Sequence, residues 1–353
     1  SRRLDLSYYS KGPMIAYLIS AGTFLFGNTV FAIRVLAVFF SAFTSIVLYK
    51  LGKHMYNEIT GVSAAVIFQI IPLYAAYGLL FTIDSPFMFF WVLSLYLFWK
   101  VLPQHDTVAE QRYHPSLRVW VLLGISVGLG LLTKYTMSFF IVCAFLFLLS
   151  SEQERKLLRS GAPYLSFFIS ILIFSPAILW NAQHGWVTVK HTAGQAHVAD
   201  GLQVSFKSLF EFVGSQLGVI TPVIFILIFI AFRGLGAGRR RRFLVWFSVP
   251  VLLFFILKSI QGKVQANWAM TGYVTGLIAF SEIFITGWKG HKLRLNLVTV
   301  TGLAISLMLT AVAHCPSKFH IPPKFDPTLR IMGWKALGKE VDALFQTMPD
   351  SRN

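Results

Sequence analysis

Apolar runs bounded by charged or polar positions recur along almost the whole chain, at roughly 30–49, 62–80, 85–101, 119–133, 137–150, 162–180, 215–232, 243–258, 270–286 and 295–313. About 20 apolar residues wound as a helix cross the hydrocarbon core of a bilayer, so these runs predict ten transmembrane helices in an all-α integral membrane protein. The stretch from Pro13 to Phe26 is apolar but too short to span, and is expected to form a re-entrant or interfacial helix after a polar opening loop. Gly124, Gly128 and Gly130 on one run imply close helix packing, because small residues let two membrane helices approach. No internal repeat divides the chain into matching halves.

Composition agrees with lipid as the solvent: of 353 residues, 56% are hydrophobic and only 13% charged, with a mean hydropathy of +0.66. Globular domains carry about twice that charged fraction. A formal net charge of +17 raises the question of nucleic acid, but the charges sit in short loops between the runs. One set of alternate loops holds sixteen lysines and arginines, including Arg112 and the run Arg239 to Arg242. The other set holds five: Lys134, Lys190, Lys207, Lys258 and Lys263. The positive-inside rule places the first set in the cytoplasm and the second outside. The arginine run thus reads as a topology signal first and an anionic-lipid contact second, with no nucleic-acid partner. Cys143 and Cys315 offer neither a disulfide framework nor metal-ligand spacing.

Chemistry is expected on the outer side. Asp84, in FTIDSPFMFFW, lies between two apolar runs, where an ionisable residue marks a functional site by default; the alternative is a helix cap ahead of Pro86. Tyr8, Tyr9 and Lys11 precede a proline-started helix, a setting that favours an anion, although a lysine at the lipid headgroups is the plainer reading. Lys134 and Tyr135 join two helices on the same side, so the two lysines are candidates to clasp one phosphate. Segment 180–191 carries His184 and Trp186, and Gln265, Asn267 and Trp268 repeat the same mixture of aromatic rings and polar donors. Such a mixture suits a sugar, which stacks on a ring and hydrogen-bonds through its hydroxyls. The sequence supports no cofactor, since His184 and His191 on a loop mean little for metal binding, and a divalent metal is left as the open alternative. GISVG matches G-x-S-x-G but lies inside an apolar helix, not at a strand-to-helix turn, which argues against a serine hydrolase.

Taken in order, YYSKGPMIAYLI, FTIDSPFMFFW, LLTKYT, SPAILWNAQHGW and QANWAMTGY resemble the bacterial members of glycosyltransferase family 39 and the aminoarabinose transferases, enzymes of the C-type membrane fold. The resemblance implies inverting transfer of a sugar from a polyprenyl-phosphate donor to a lipid, glycan or protein acceptor at the extracytoplasmic face of the bacterial inner membrane. Asp84 would correspond to the acidic residue of the second outer loop, and Lys11, with Tyr9 and Pro13, to the motif that contacts the donor phosphate. Gly12 stands where many relatives have a second proline, and Ser10 where they often carry Asp, His or Glu. The resemblance also implies a helix and an acidic outer loop, bearing the catalytic base, ahead of Ser1, so the chain is expected to be an N-terminally truncated fragment. The expected division is 1–29 as outer loop and interfacial helix, 30–313 as the transmembrane transferase domain, and 314–353 as the start of an outer domain, with an amphipathic helix around 334–345. The rival reading is a polytopic lipid or solute transporter, which would place polar residues near the bilayer midplane.

Overall fold

The computed structural model describes residues 4–103, 116–195, 204–290, 293–314 and 333–347. Arg112, Cys315 and residues 315–332 of the expected outer tail lie outside the described residues. Within them the fold is helical throughout. The N-terminal half contains α1 (Met14–Phe26), α2 (Val30–Met55), α3 (Glu58–Ile70), α4 (Pro72–Leu79), α5 (Asp84–Val101), α6 (Leu117–Thr133), α7 (Ser138–Leu149), the short α8 (Glu152–Arg155) and α9 (Ala162–Gln183). The rest contains α10 (Val187–Gln195), α11 (Phe206–Ile220), α12 (Pro222–Gly234), α13 (Arg239–Trp246), α14 (Val249–Gln261), α15 (Thr271–Phe280), α16 (Leu293–His314) and α17 (Trp334–Thr347).

Four helical segments are long and apolar enough to cross a membrane: α2, α9, Arg239–Gln261 (α13 running into α14) and α16. Counting each bent pair as one span raises the number to seven. Two of the ten runs that hydropathy presents as single helices are broken. Run 62–80 bends by 72° between α3 and α4, where Ile71 is extended ahead of Pro72. Run 215–232 bends by 94° between α11 and α12 at Thr221, whose φ of 73° precedes Pro222. A proline disfavours the α conformation at the residue before it, which hydropathy does not register. The stretch after Pro13 forms α1, whose 13 residues extend about 20 Å, well short of the hydrocarbon core.

Helix α5 runs through the centre of the bundle between α2 and α6, burying Phe87, Trp91, Leu95 and Phe98. The aromatic cluster of Phe98, Phe140, Phe147, Phe243 and Phe247 ties it to α7 and α13. Helix α6 lies close against α9 because its glycines leave no room for more: a Cβ on Gly124 would come within 2.5 Å of the Ser166 carbonyl oxygen, and one on Gly128 within 2.8 Å of Ile173. That is the close packing expected of spaced small residues. Exposed apolar side chains such as Phe39, Phe43, Phe168 and Leu172 cover the outside of α2 and α9, as a lipid-facing surface requires.

Candidate functional site

The N-terminal end of α5, the C-terminal end of α6 and a 3₁₀ turn at Ala266–Ala269 meet at one end of the bundle. Asp84 occupies the first turn of α5 and is buried, with 3% of its surface exposed. Its Oδ1 accepts a hydrogen bond from Lys134 Nζ at 2.7 Å, and its Oδ2 accepts one from Asn267 Nδ2 at 2.7 Å. The helix is preceded by Ile83, its Asp84 amide donates to Thr82 Oγ1 at 3.1 Å, and the Asp84 carboxylate faces other helices instead of closing its own. The capping alternative is thereby set aside. Lys134 stands where α6 ends in extended backbone, and its ammonium lies 5.3 Å from the centre of the Phe87 ring. Asn267 is held through a further layer: Tyr273 Oη donates to Gln216 Oε1 at 2.9 Å, and Gln216 Nε2 donates to the carbonyl of Ala266 at 3.2 Å.

Beside this pair is a cavity of about 280 Å³, lined by Lys11, Lys134, Tyr135, Lys258, Phe255 and Trp268 among others. The opening loop reaches it through anchors to two helices. Thr188 Oγ1 of α10 donates to the Tyr8 carbonyl at 2.7 Å, Tyr17 Oη of α1 donates to the Asp5 carbonyl at 2.8 Å, and the Tyr8 amide donates to the Lys11 carbonyl at 3.2 Å. Gly12 follows from the same approach, since a Cβ there would overlap the Leu132 carbonyl at the end of α6. Partial burial holds the pKa of Lys11 below the ordinary lysine value; the Lys134 ammonium adds to the lowering and Asp84 opposes it. Tyr135 Oη lies 3.5 Å from Ser7 Oγ, and its ring meets Phe174 edge-on.

The sequence candidates divide accordingly. Lys11, Lys134, Tyr135 and Trp268 line the cavity, and Asp84 and Asn267 adjoin it behind Lys134, Asp84 bonded to that lysine and Asn267 to Asp84. Tyr8, Tyr9, His184, Trp186 and Gln265 are not among its lining residues. Tyr8 secures the loop, and Tyr9 is exposed with its ring tilted against His191 at 4.7 Å. His184 stacks on Trp180 at 3.9 Å, Trp186 is half exposed at a φ of 59°, and Gln265 is exposed. Both lysines expected to clasp a phosphate, Lys11 and Lys134, line the cavity, and Lys134 is in addition paired to Asp84. Lys258, held by Gln261 Oε1 at 2.7 Å, is a third ammonium at the cavity that motif reading missed. A signal for it existed, since it is one of only five lysines on the charge-poor side. Among the described residues no group of three or more His, Cys, Asp or Glu side chains is arranged to hold a metal ion.

Residues 10–180 match the family described as dolichyl-phosphate-mannose-protein mannosyltransferase. The chain is 32% identical over 350 residues to the lipid A galacturonosyltransferase RgtD of Rhizobium johnstonii, covering 98% of this chain and 70% of that protein. It is 27% identical over 176 residues to the undecaprenyl phosphate-alpha-4-amino-4-deoxy-L-arabinose arabinosyl transferase of Pseudomonas paraeruginosa, 49% of this chain and 31% of that one. Among solved structures, ArnT from Cupriavidus metallidurans bound to undecaprenyl phosphate superimposes with a TM-score of 0.63 at 17% identity, over 91% of this chain and 57% of that one. The Archaeoglobus fulgidus oligosaccharyltransferase in its apo form gives 0.57 at 13% identity, over 87% and 49%. The likeness to these two structures is one of fold, and the chain spans about half of their length.

Proposed function

Because the chain belongs to the membrane glycosyltransferase family that includes the lipid A galacturonosyltransferase, we propose that it moves a sugar from a polyprenyl-phosphate donor to a glycolipid acceptor, with inversion. A lipid A-type acceptor is favoured over a glycan or protein by the named activity of its 32%-identical relative. The observation that carries the proposal is a cavity lined by Lys11, Lys258 and Lys134, the last of them paired to the buried Asp84 carboxylate that adjoins it.

In the proposed reaction the acceptor hydroxyl oxygen bonds to the anomeric carbon as the bond from that carbon to the phosphate oxygen breaks. The electron pair leaves with the lipid phosphate, and the hydroxyl proton passes to a carboxylate base. Lys11 sits where it can neutralise the leaving phosphate, with Lys258 on the same cavity as a second cation. Asp84 orients sugar or acceptor, and its bond to Lys134 fixes its position, while Asn267 occupies its other oxygen. Trp268 and Tyr135 supply the aromatic walls against which a sugar face stacks.

The proposal includes ten membrane crossings, with the bent pairs counted with their flanking segments, in a bacterial inner membrane. The sixteen-to-five distribution of lysine and arginine supports an extracytoplasmic cavity. In it, residues 1–29 form the donor loop, 30–313 the transferase body and 314–353 an outer tail. The test is lipid extraction from cells lacking the gene. A polyprenyl-phosphate sugar should accumulate, and complementation by the wild type but not by Asp84→Asn should clear it. Unchanged lipid pools in the deletion strain would refute the activity.

A further inference from the structure

The 3₁₀ turn Ala266–Ala269 carries two consecutive residues of the site. Asn267 Nδ2 donates to Asp84 Oδ2 at 2.7 Å, and the next residue, Trp268, forms part of the cavity wall. A displacement of the turn therefore moves the carboxylate's partner and the aromatic wall together. The chain arrives from α14 through extended backbone at Gly262 and Gln265, with no regular structure between them, so the turn does not take its place from that helix.

Two buried side chains hold it instead. At its start, Gln216 Nε2 of α11 donates to the Ala266 carbonyl at 3.2 Å. One residue past its end, Tyr74 Oη of α4 donates to the Met270 carbonyl at 2.7 Å. Gln216 and Tyr74 are each 2% exposed. The Gln216 amide is committed at both ends, since its Oε1 accepts from Tyr273 Oη at 2.9 Å and its Nε2 also lies 3.3 Å from Ser215 Oγ. A polar group buried among membrane helices is costly unless paired, and its usual service is to join one helix to another. These two differ in that both end on backbone at the edges of the site turn. The helices that bear them belong to the two broken spans: α4 follows the 72° bend at Ile71, and α11 precedes the 94° bend at Thr221. Helix α11 packs against both α4 and the turn.

We infer that Gln216 and Tyr74 are positioning residues for sugar transfer, which clamp the two ends of the turn and through it fix Asn267 on Asp84 and Trp268 in the cavity wall. The role in transfer rests on the sugar-transfer reading of the cavity, whereas the clamp stands on the hydrogen bonds alone.

Gln216→Leu removes one tie and Tyr74→Phe the other, and the phenylalanine keeps the ring that stacks on Phe68 at 4.3 Å. Turnover by the purified full chain is measured with the polyprenyl-phosphate sugar extracted from cells lacking the gene, with lipid A as acceptor, and is expressed per folded protein. Each variant should lower kcat about 10- to 100-fold, as a misplacement of about 1 Å can. Added to Asn267→Ala, either substitution should cost much less than it does alone, because the path to Asp84 is already cut; a residue that only joins helices would give additive losses. Hydrogen exchange read by mass spectrometry needs no substrate. It should quicken across residues 263–270 in each variant while α11 and α15 keep their protection. Thermal melts identify a variant that has not folded, and where Gln216→Leu fails, Tyr74→Phe decides. Wild-type kcat in a folded variant, losses fully additive with Asn267→Ala, or unchanged exchange across 263–270 overturns the positioning role. A wild type that turns over no donor, while the variants still loosen the turn, overturns the sugar-transfer reading and leaves the clamp standing.

Discussion

The Asp84–Lys134 pair separates a structural from a functional carboxylate by comparing single and double substitutions. At 2.7 Å and an effective dielectric of 20, the direct attraction is about 6 kcal/mol, most of it offset by taking both charges out of water. Removing one partner forfeits that compensation. Lys134→Met should therefore cost about 3–5 kcal/mol, because it leaves a carboxylate that is 3% exposed with Asn267 as its remaining partner. Asp84→Asn should cost less, since the amide keeps the size and still meets Asn267, but the stranded Lys134 ammonium makes it destabilising as well. The double variant Asp84→Asn/Lys134→Met carries no buried charge and should regain most of the lost stability. Transfer should not return with it. Unfolding in detergent, followed by denaturant titration, reads the first quantity. Release of polyprenyl phosphate from a purified sugar donor reads the second, and a loss of at least about 100-fold is expected for every variant lacking the carboxylate. A double variant that recovers both stability and turnover would show that Asp84 serves the fold alone.

Four further outcomes can be measured. Lys11→Ala should lower kcat/KM for the phosphate-linked donor about 10- to 100-fold, the worth of a charge-assisted hydrogen bond, and Lys11→Arg should retain part of it; unchanged donor kinetics in the alanine variant would remove Lys11 from the site. Since burial and Lys134 lower the Lys11 pKa, the unfolded chain binds more protons between the folded and the ordinary lysine values, so stability rises with pH across that window while donor affinity falls. A donor KM that stays flat through this alkaline range in the wild type would contradict the assignment. Gly12→Ala should cost about 1–3 kcal/mol and displace the loop that carries Lys11, because its Cβ overlaps backbone that cannot rotate away; a variant with wild-type melting and donor use would contradict the packing. Single cysteines at 155 and 238 should be shielded from an impermeant thiol reagent in intact cells, and those at 195 and 263 should react. Labelling at 238 from outside would invert the orientation.

Much of this architecture is written locally in the chain. The apolar runs mark the helices, the spaced glycines of α6 mark its contact with α9, and the isolated Asp84 points to the candidate site. What is not local was not legible. Asp84 meets Lys134 across 50 residues and Asn267 across 183, and no spacing rule ties those positions together. The same holds for Lys258, whose value lies in the cavity it faces. Segment 180–191 has the aromatic and imidazole composition of a sugar site but supplies no lining residue to that cavity: His184 stacks on Trp180 and makes a 2.8 Å contact with that residue's carbonyl, and Trp186 is half exposed at a positive φ. Composition names what a segment can bind, and only packing decides which groups are left to bind it. The bends at Ile71 and Thr221 belong to the same class, since a hydropathy window averages over the proline that breaks the helix.

The distribution of buried polar groups also weighs against transport. A solute or ion crossing the bundle needs polar groups near mid-depth that exchange partners with it. Midway along α5, Ser94 Oγ is 2.9 Å from Ser126 Oγ, which in turn donates to the Phe90 carbonyl. On α15, Thr275 donates to the Leu244 carbonyl. These hydroxyls are satisfied within the protein and hold helices together. The buried charged groups lie instead near the two ends of α5, Asp84 with Lys134 at one and Glu154 with Arg239 and Arg242 near the other, and the aromatic packing of Trp91, Phe98, Phe140 and Phe247 fills the space between. Among the described residues, a charged solute would find no ionic partner across that aromatic layer. A donor whose tail stays in lipid and whose phosphate and sugar reach only the cavity beside Asp84 meets no such barrier, which is the arrangement transfer at one membrane face requires.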